Sequence, residues 1–188
     1  MSKIWITSDW HFNHDREFIW HARGFDCIET MNETIVERHN AVVAPDDDVY
    51  VLGDLCLGGA VPGITAKNQE LIERMNGRLH IILGNHDTPA RAEMYRMCKN
   101  VVSVLYADVL HYRGYHFYMS HFPTLTANLD EDKTLKARII NLCGHKHATD
   151  KFIDFDKGLI YHVEVDSHNC YPENIDNIIE DIKHFGRK

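Results

Sequence analysis

Hydrophobic runs long enough to cross a bilayer are absent from this sequence of 188 residues, in which every apolar stretch is short. The opening segment, MSKIWITSDW, has no long apolar stretch behind its lysine and therefore does not fit a secretory signal peptide. We expect neither export nor a membrane partner, and we predict a cytoplasmic location.

Paired cysteines are also missing. The five cysteines are odd in number, scattered along the chain, and include no CxxC spacing. This pattern disfavours both a disulfide framework and a zinc site built from thiolates. Free thiols in a reducing cytoplasm fit it best.

Positive charge is in short supply, because 20 Lys and Arg residues face 28 Asp and Glu residues, giving a formal net charge of −8. Nucleic-acid backbones need neutralisation by Lys and Arg, so a long nucleic acid is a disfavoured partner. Two bound divalent cations would reverse the field locally in one cleft. The balance favours a small phosphorylated substrate, which includes nucleotide-like compounds. The oligomeric state is left open.

The length and composition suit one domain over residues 1–188, with 44% hydrophobic and 26% charged residues. The first half alternates β-branched runs with helical patterns, which predicts a mostly parallel sheet. From about Val101 closely spaced strands predict a more mixed sheet, including a hairpin of Phe152–Phe155 with Leu159–Val163, and Pro172–Phe185 is predicted to be a helix. Two sheets packed face to face with helices outside would bury these surfaces.

Histidine, by contrast, is abundant, with 14 residues. It is the commonest metal ligand and the usual acid–base residue at neutral pH. Eight histidines follow no pattern and are interpreted as surface residues: His21, His39, His80, His111, His116, His162, His168 and His184. The other six fall in the segments that follow predicted strands.

Five predicted strands are each followed by Asp, Asn or His. The residues concerned are Asp9, His11, Asp54, Asn85, His86, Asp87, His121, His145 and His147. Strand carboxyl ends are where open α/β sheets collect ligands, so we expect these side chains to converge. A turn explains each motif taken alone, but five motifs in order behind five strands favour a shared site.

The chemistry of these side chains predicts a metal site. Carboxylate and amide oxygens mixed with imidazoles, without thiolate, suit Mn, Fe, Zn or Mg. Seven of these residues are candidate ligands: Asp9, His11, Asp54, Asn85, His121, His145 and His147. Seven ligands are too many for one ion but enough for two ions that share a bridging carboxylate. Gly53, Gly84 and Gly144 each directly precede a ligand candidate, where glycine permits a tight exit from the strand.

The chain resembles the calcineurin-like metallophosphoesterases, and in particular their small single-domain bacterial and phage members. It carries their blocks in order: Asp9-x-His11, Gly53-Asp54, Gly84-Asn85-His86-Asp87, His121 and Gly144-His145-x-His147. The resemblance implies an α/β fold, namely a four-layer α/β/β/α sandwich of two mixed sheets with helices on the outside. It also implies one cation held by Asp9, His11, Asp54 and His147, and a second held by Asp54, Asn85, His121 and His145, with Asp54 bridging.

The resemblance further implies that His86 is catalytic and does not ligate metal. It would donate a proton to the leaving group or steady the transition state, while Asp87 would hold its other ring nitrogen. Two residues of the loop after the first strand, His14 and Arg23, are candidates for contacting a substrate phosphate.

The predicted activity is hydrolysis of a small phosphodiester or phosphomonoester by a hydroxide that bridges two divalent cations. Manganese is favoured, with Fe, Zn, Ni and Mg as alternatives. Two other functions stay open: a nuclease acting on nucleic-acid ends, and a metal-binding scaffold without turnover.

Overall fold

The computed structural model describes residues 2–59, 61–125 and 134–185, and it shows an α/β fold. The strands are β1 (Ile4–Thr7), β2 (Asp48–Leu52), β3 (Arg78–Ile82), β4 (Val101–Leu105), β5 (Ala107–Tyr112), β6 (Tyr115–Ser120), β7 (Ile139–Cys143), β8 (Ile160–His162) and β9 (Glu173–Asn174). The α-helices are α1 (Glu17–Trp20), α2 (Ile28–Val42), α3 (Ile64–Glu73), α4 (Pro89–Met97) and α5 (Ile175–Phe185).

The described strands form two sheets, and both are mixed. The first has the order β4-β3-β2-β1-β9, in which β1 to β4 are parallel and β9 is antiparallel to β1. The second has the order β5-β6-β7-β8, in which β5 is antiparallel to β6 and the other pairs are parallel. The prediction of an α/β fold with two mixed sheets is therefore confirmed.

Alternation along the strands of the first sheet separates two hydrophobic clusters. Trp5, Val49 and Ile81 belong to the cluster that also contains the buried faces of α2, α3 and α4. Ile6 and Leu52 belong to the other cluster, which includes apolar residues of β6, β7 and β8. Successive side chains on a strand point to opposite faces, so the first sheet lies between the helices and the second sheet.

The helices follow their local sequence signals. Helix α4 begins after Thr88, whose side chain accepts a hydrogen bond from the backbone N–H of Arg91, and Pro89 occupies its first turn. Helix α5 buries four isoleucines on one stripe, and these pack into the cluster between the two sheets: Ile175, Ile178, Ile179 and Ile182.

Two predictions about the second half are corrected. The hairpin of Phe152–Phe155 with Leu159–Val163 is wrong, because Phe155–Lys157 forms a 3₁₀ turn and β8 pairs in parallel with β7. The ring of Phe152 instead stacks on that of Phe185, with 4.1 Å between centroids. Helix α5 begins at Ile175, because β9 occupies the two residues before it.

The surface interpretation is wrong for three histidines. His39 and His162 are buried, with 1% and 0% of their surface exposed, and the side chain of His168 is only 4% exposed. Each has a hydrogen-bond partner. His39 Nε2 donates to the Asn76 carbonyl, His168 Nε2 donates to the His162 carbonyl, and the His162 ring contacts the carboxylates of Asp154 and Glu164. Burial of a polar ring is tolerated when it is hydrogen-bonded in this way.

None of the helices in the described ranges combines the length and the apolar character that a membrane crossing requires.

Candidate metal centre

The predicted ligands lie on loops at the carboxyl ends of parallel strands, and each sheet contributes some of them. The first sheet supplies Asp9, His11, Asp54 and Asn85 after β1, β2 and β3, and the second supplies His121, His145 and His147 after β6 and β7. The centre therefore lies across the boundary between the two sheets.

Asp9, His11 and His147 form a first group, in which one ligand atom of each lies within 4.8 Å of the others. The Oδ1 atom of Asp9 is 3.7 Å from Nε2 of His11 and 3.8 Å from Nε2 of His147. These separations suit three atoms arranged around one ion.

A second group consists of Asp9, Asp54 and His121, again within 4.8 Å of one another. Asn85 extends it, because its Oδ1 lies 2.9 Å from Nε2 of His121 and 2.9 Å from Nδ1 of His145. The structure thus brings all seven predicted ligands together in two adjoining groups.

Two carboxylates, those of Asp9 and Asp54, lie where they could bridge the two ligand groups. Asp9 belongs to both groups, whereas the family resemblance gives this role to Asp54. Oδ2 of Asp54 lies 3.7 Å from Nε2 of His11 and 3.4 Å from Nε2 of His121, so it reaches both groups as well. Its other oxygen accepts the backbone N–H of His86 at 2.9 Å. The bridging role of Asp54 stays a prediction that this geometry permits.

Two buried ligand atoms indicate that the residues fit a cation. Among the described residues, Asp9 Oδ1 and His11 Nε2 are buried without a hydrogen-bond partner, although they lie only 3.7 Å apart. An unpartnered buried polar atom is costly, and a shared cation would satisfy both. His121 is oriented for the same purpose, because its Nδ1 donates to the Leu52 carbonyl at 2.8 Å and leaves Nε2 free to ligate.

The electrostatics also suit a cation. Burial opposes ionisation of Asp9, but the adjacent rings of His11, His121 and His147 hold the pKa of its carboxyl well below the ordinary value. Burial lowers the pKa of His11 to about 4, so its ring is neutral at pH 7. A neutral imidazole and an ionised carboxylate are the forms that bind metal.

The backbone is unusual at these positions. Asp9, His11, Asp54, His145 and His147 all have positive φ, between 50° and 80°. This left-handed conformation is uncommon for residues other than glycine, costs on the order of 1–3 kcal/mol each, and clusters at functional sites.

Two of the glycines noted in the sequence make room for carboxylates. A Cβ on Gly144 would collide with the carboxylate of Asp9, and one on Gly84 would lie 2.8 Å from the backbone nitrogen of Asp54. Any side chain at these positions would displace the ligands.

His86 lies beside the groups rather than within them. Its Nε2 is 3.9 Å from Oδ2 of Asp54, its side chain is 41% exposed, and it lines the same cavity as His11 and His147. This position agrees with a residue that faces the substrate, as predicted, and the catalytic role stays a prediction.

The contact predicted for Asp87 is wrong. Instead of holding the His86 ring, its buried carboxylate accepts hydrogen bonds from the backbone N–H groups of Asp54 and Gly84, both at 2.8 Å, and from the Tyr95 hydroxyl at 2.6 Å. A carboxylate surrounded by these donors has no reason to turn towards an exposed ring. Asp87 therefore fixes the loop that carries Asp54.

The two predicted substrate contacts differ in position. His14 lines the cavity, and its Nδ1 lies 3.0 Å from Nδ1 of His11, so it is placed to meet a substrate. The side chain of Arg23 is only 3% exposed, and its guanidinium donates to the carbonyls of Asp9 and Trp10. The predicted phosphate contact of Arg23 is untested, and this geometry favours a role in positioning the ligand loop.

The residues that support the second-sheet ligands are not among the predicted site residues. Asp166 lies 3.2 Å from Nδ1 of His147, and buried His162 lies between Asp154 and Glu164, at 3.1 and 2.9 Å. Lys146 connects this cluster to the ligand loop through a 2.6 Å bond to Asp154. The available signal was the alternation of His162, Glu164 and Asp166, which places three polar side chains on one face of an extended segment.

Comparison with known proteins finds a family and individual relatives of this chain. The sequence model of the calcineurin-like phosphoesterases matches residues 2–186. The chain is 33% identical over 184 residues to the uncharacterised protein MJ1445 of Methanocaldococcus jannaschii, which covers 96% of this chain and 91% of that protein. It is 32% identical over 171 residues to the gene 66 protein of Mycobacterium phage L5, covering 79% of each.

A solved structure shares the fold. The protein of unknown function AQ665 from Aquifex aeolicus superposes with a TM-score of 0.69, covering 96% of this chain and 99% of that one. The sequence identity is 16%, so this likeness concerns the fold alone.

Proposed function

The chain belongs to the calcineurin-like phosphoesterase family, and from this premise we propose that it hydrolyses a small phosphate ester with the help of two divalent cations. The observation that carries the proposal is that the seven predicted ligands lie in two adjoining groups. Two of their ligand atoms, Asp9 Oδ1 and His11 Nε2, are buried and have no hydrogen-bond partner in the described chain.

The first cation would be held by Asp9, His11, Asp54 and His147, and the second by Asp54, Asn85, His121 and His145. Bound divalent cations supply Lewis-acid polarisation of phosphate oxygens and lower the pKa of coordinated water. Manganese is the ion that we favour for this oxygen and nitrogen set, with Fe, Zn, Ni and Mg as alternatives.

The protein's own groups would orient the ester and manage a proton. His86 stands at the wall of the cavity, 3.9 Å from the Asp54 carboxylate, where its ring can donate a proton to a departing ester oxygen. The backbone N–H of His86 also donates a hydrogen bond to one oxygen of Asp54. This bond holds the ligand Asp54 and the proton donor His86 at a fixed distance from each other.

A small substrate is supported by the size and the charge of the site. The cavity over the centre measures about 480 Å³, which is within the range of small-molecule pockets. The formal net charge of −8 opposes the approach of a long polyanion. A phosphodiester and a phosphomonoester both fit this description.

The test is hydrolysis of bis(4-nitrophenyl) phosphate and of 4-nitrophenyl phosphate by the metal-free protein, supplied in turn with Mn, Ni, Zn and Mg. We expect turnover with at least one cation, and its near-complete loss in Asp54→Asn. An Asp46→Asn variant on the exposed turn before β2 serves as a matched control that should keep activity.

Two results would contradict the proposal. Bound metal without turnover of either ester would favour a scaffold. Cleavage of single-stranded or duplex DNA ends in gel assays, at rates far above those for the small esters, would favour a nuclease.

A further inference from the structure

The residues that line the cavity indicate which chemical group the substrate carries besides its phosphate. The lining includes the histidines, Asp54 and Asn85 of the site. Its other residues, which we call the second wall, are Phe18, Ile19, Ala22, Thr149 and Asp166. The phosphate would be bound by the centre, which leaves this second wall available to contact the rest of the ester.

Phe18 is the most unusual residue of that wall. It lies on the short helix α1 and is 68% exposed, although a phenyl ring is normally buried. One edge of the ring is fixed, because it meets the His14 ring in a T-shaped contact with 5.9 Å between centroids. His14 in turn stacks on His11, at 5.1 Å, so Phe18 is connected to the first ligand group.

A second exposed ring borders the other ligand group. Phe122 is 49% exposed and makes T-shaped contacts with His145 at 4.7 Å and with His121 at 5.1 Å. Each ligand group thus has an exposed phenyl ring beside it.

The charges near the cavity argue against a second anionic group on the substrate. Among its described lining residues there is no Lys or Arg, and the charge of Asp166 is balanced by its ion pair with Arg23. The neighbouring cavity, which shares His14, is lined by Arg16 but also by Asp15 and Glu29. A nucleoside triphosphate or another polyanion would find no surplus of positive charge on either wall.

We propose, building on the proposed function, that this site selects phosphate esters of an uncharged aromatic group, such as an aryl or nucleoside ester, and that Phe18 determines this specificity by packing against the aromatic ring. Offset or edge-to-face contact between two rings adds affinity beyond simple burial. In the complex the exposed part of the Phe18 ring would pack against the substrate, in addition to its contact with His14.

Binding can be measured without turnover by using phosphonates, which lack the scissile ester bond. We would titrate the Mn-loaded protein calorimetrically with phenylphosphonate, cyclohexylphosphonate and methylphosphonate, at a pH where all three are dianions. Phenylphosphonate should bind roughly 3- to 10-fold more tightly than methylphosphonate. Cyclohexylphosphonate should bind less tightly than the phenyl compound, because it matches the size of the ring but not its flat face.

Variants of Phe18 assign the effect to this residue. In Phe18→Ala the ratio of phenyl to methyl affinity should fall to about 1, while the affinity for methylphosphonate stays the same; in Phe18→Trp the preference should persist. Met97→Ala is the matched control, because Met97 is 70% exposed on α4 and does not line the cavity. Phe18 is itself exposed, so its removal should leave the fold intact.

The outcomes separate this inference from the proposed function. An unchanged phenyl preference in Phe18→Ala, or equal binding of the phenyl and cyclohexyl compounds, would overturn the inference even if nitrophenyl esters are hydrolysed. A preference that depends on Phe18, found in a protein that hydrolyses no ester with any cation, would support the inference and overturn the proposed activity.

Discussion

The guanidinium of Arg23 binds the carboxylate of Asp166 through two hydrogen bonds, of 2.9 Å from Nε and 2.8 Å from Nη2. The same carboxylate lies 3.2 Å from Nδ1 of His147, and the same guanidinium donates to the backbone carbonyl of Asp9. One buried ion pair therefore orients ligands from both sheets.

Arg23→Lys should weaken cation binding without unfolding the protein. A lysine keeps the charge but cannot reproduce the two-pronged contact with Asp166 together with the bonds to the Asp9 and Trp10 carbonyls. We expect the Kd for Mn to rise by roughly 10- to 100-fold, as is typical when a residue supporting a metal ligand is changed. Calorimetric titration with Mn measures this directly.

Arg16→Lys provides the control for that experiment, because Arg16 is exposed in the same loop region and should leave the Kd for Mn unchanged. If Arg23→Lys bound Mn normally but had a raised KM for a phosphate ester, the original prediction of a substrate contact would be correct instead.

His86→Ala should slow hydrolysis and leave cation binding intact. The backbone N–H that fixes Asp54 remains in the variant, whereas the ring that faces the cavity is lost. Loss of a general acid typically lowers kcat by about 10²- to 10⁴-fold. Steady-state kinetics and metal analysis of the same preparation would check both parts. Loss of the metals in this variant would show that His86 is itself a ligand.

Asp87→Ala should reduce the free energy of unfolding by roughly 3 kcal/mol or more, because it leaves several buried donors without an acceptor. Tyr95→Phe removes only the hydroxyl donor and should cost about 1 kcal/mol. Urea unfolding of the metal-free variants gives both values.

A double variant tests where Asp87 acts. The loss caused by Asp87→Ala should be the same in a His86→Ala background, because the carboxylate contacts the backbone of the Asp54 loop and not the His86 ring. A loss that disappears in that background would restore the predicted pairing of Asp87 with His86.

His39 should make stability depend on pH. Burial lowers the pKa of its ring to about 4, although the hydrogen bond to the Asn76 carbonyl opposes this shift. The unfolded chain has an ordinary histidine pKa of about 6.5 and binds the proton first as the pH falls. The contribution of His39 is therefore complete above about pH 6.5 and is lost progressively towards pH 4, by roughly 3 kcal/mol at most.

Urea unfolding at pH 7.5 and pH 5, in excess chelator so that cation binding does not contribute, measures this loss. His39→Gln retains an amide donor without a titrating ring, so it should show a smaller difference between the two pH values than the native chain. Equal differences in the two proteins would exclude His39 as a source of the dependence.

The candidate centre could be predicted from the sequence to the extent that its residues follow strands. Asp9, Asp54 and His121 each come directly or almost directly after a β-branched or aromatic run, and parallel strands bring their carboxyl ends to one edge. The contact between Arg23 and Asp166 was harder to predict, because the two residues are 143 positions apart in the sequence and neither lies in a ligand motif.

The hydrogen-bond partners of Asp87 could not be predicted from the sequence, for a different reason. The family resemblance implied a contact between Asp87 and the His86 ring, but the turn directs the Asp87 carboxylate towards the backbone of a neighbouring loop.

His39 and His162 were assigned to the surface because neither lies in a motif. The partner of His39, the Asn76 carbonyl, lies 37 positions away. The partners of His162, Glu164 and Asp154, are only 2 and 8 positions away, but charged residues near a histidine do not by themselves indicate that its ring is buried.

The division of the ligands between the two sheets has a consequence for the chain as a whole. Cutting between β4 and β5, near Tyr106, would leave Asp9, His11, Asp54 and Asn85 on one fragment and His121, His145 and His147 on the other. The first fragment would also lose β9, which pairs with β1 at the edge of its sheet. Neither piece could assemble the centre, so activity would return only when the fragments were mixed and reassociated.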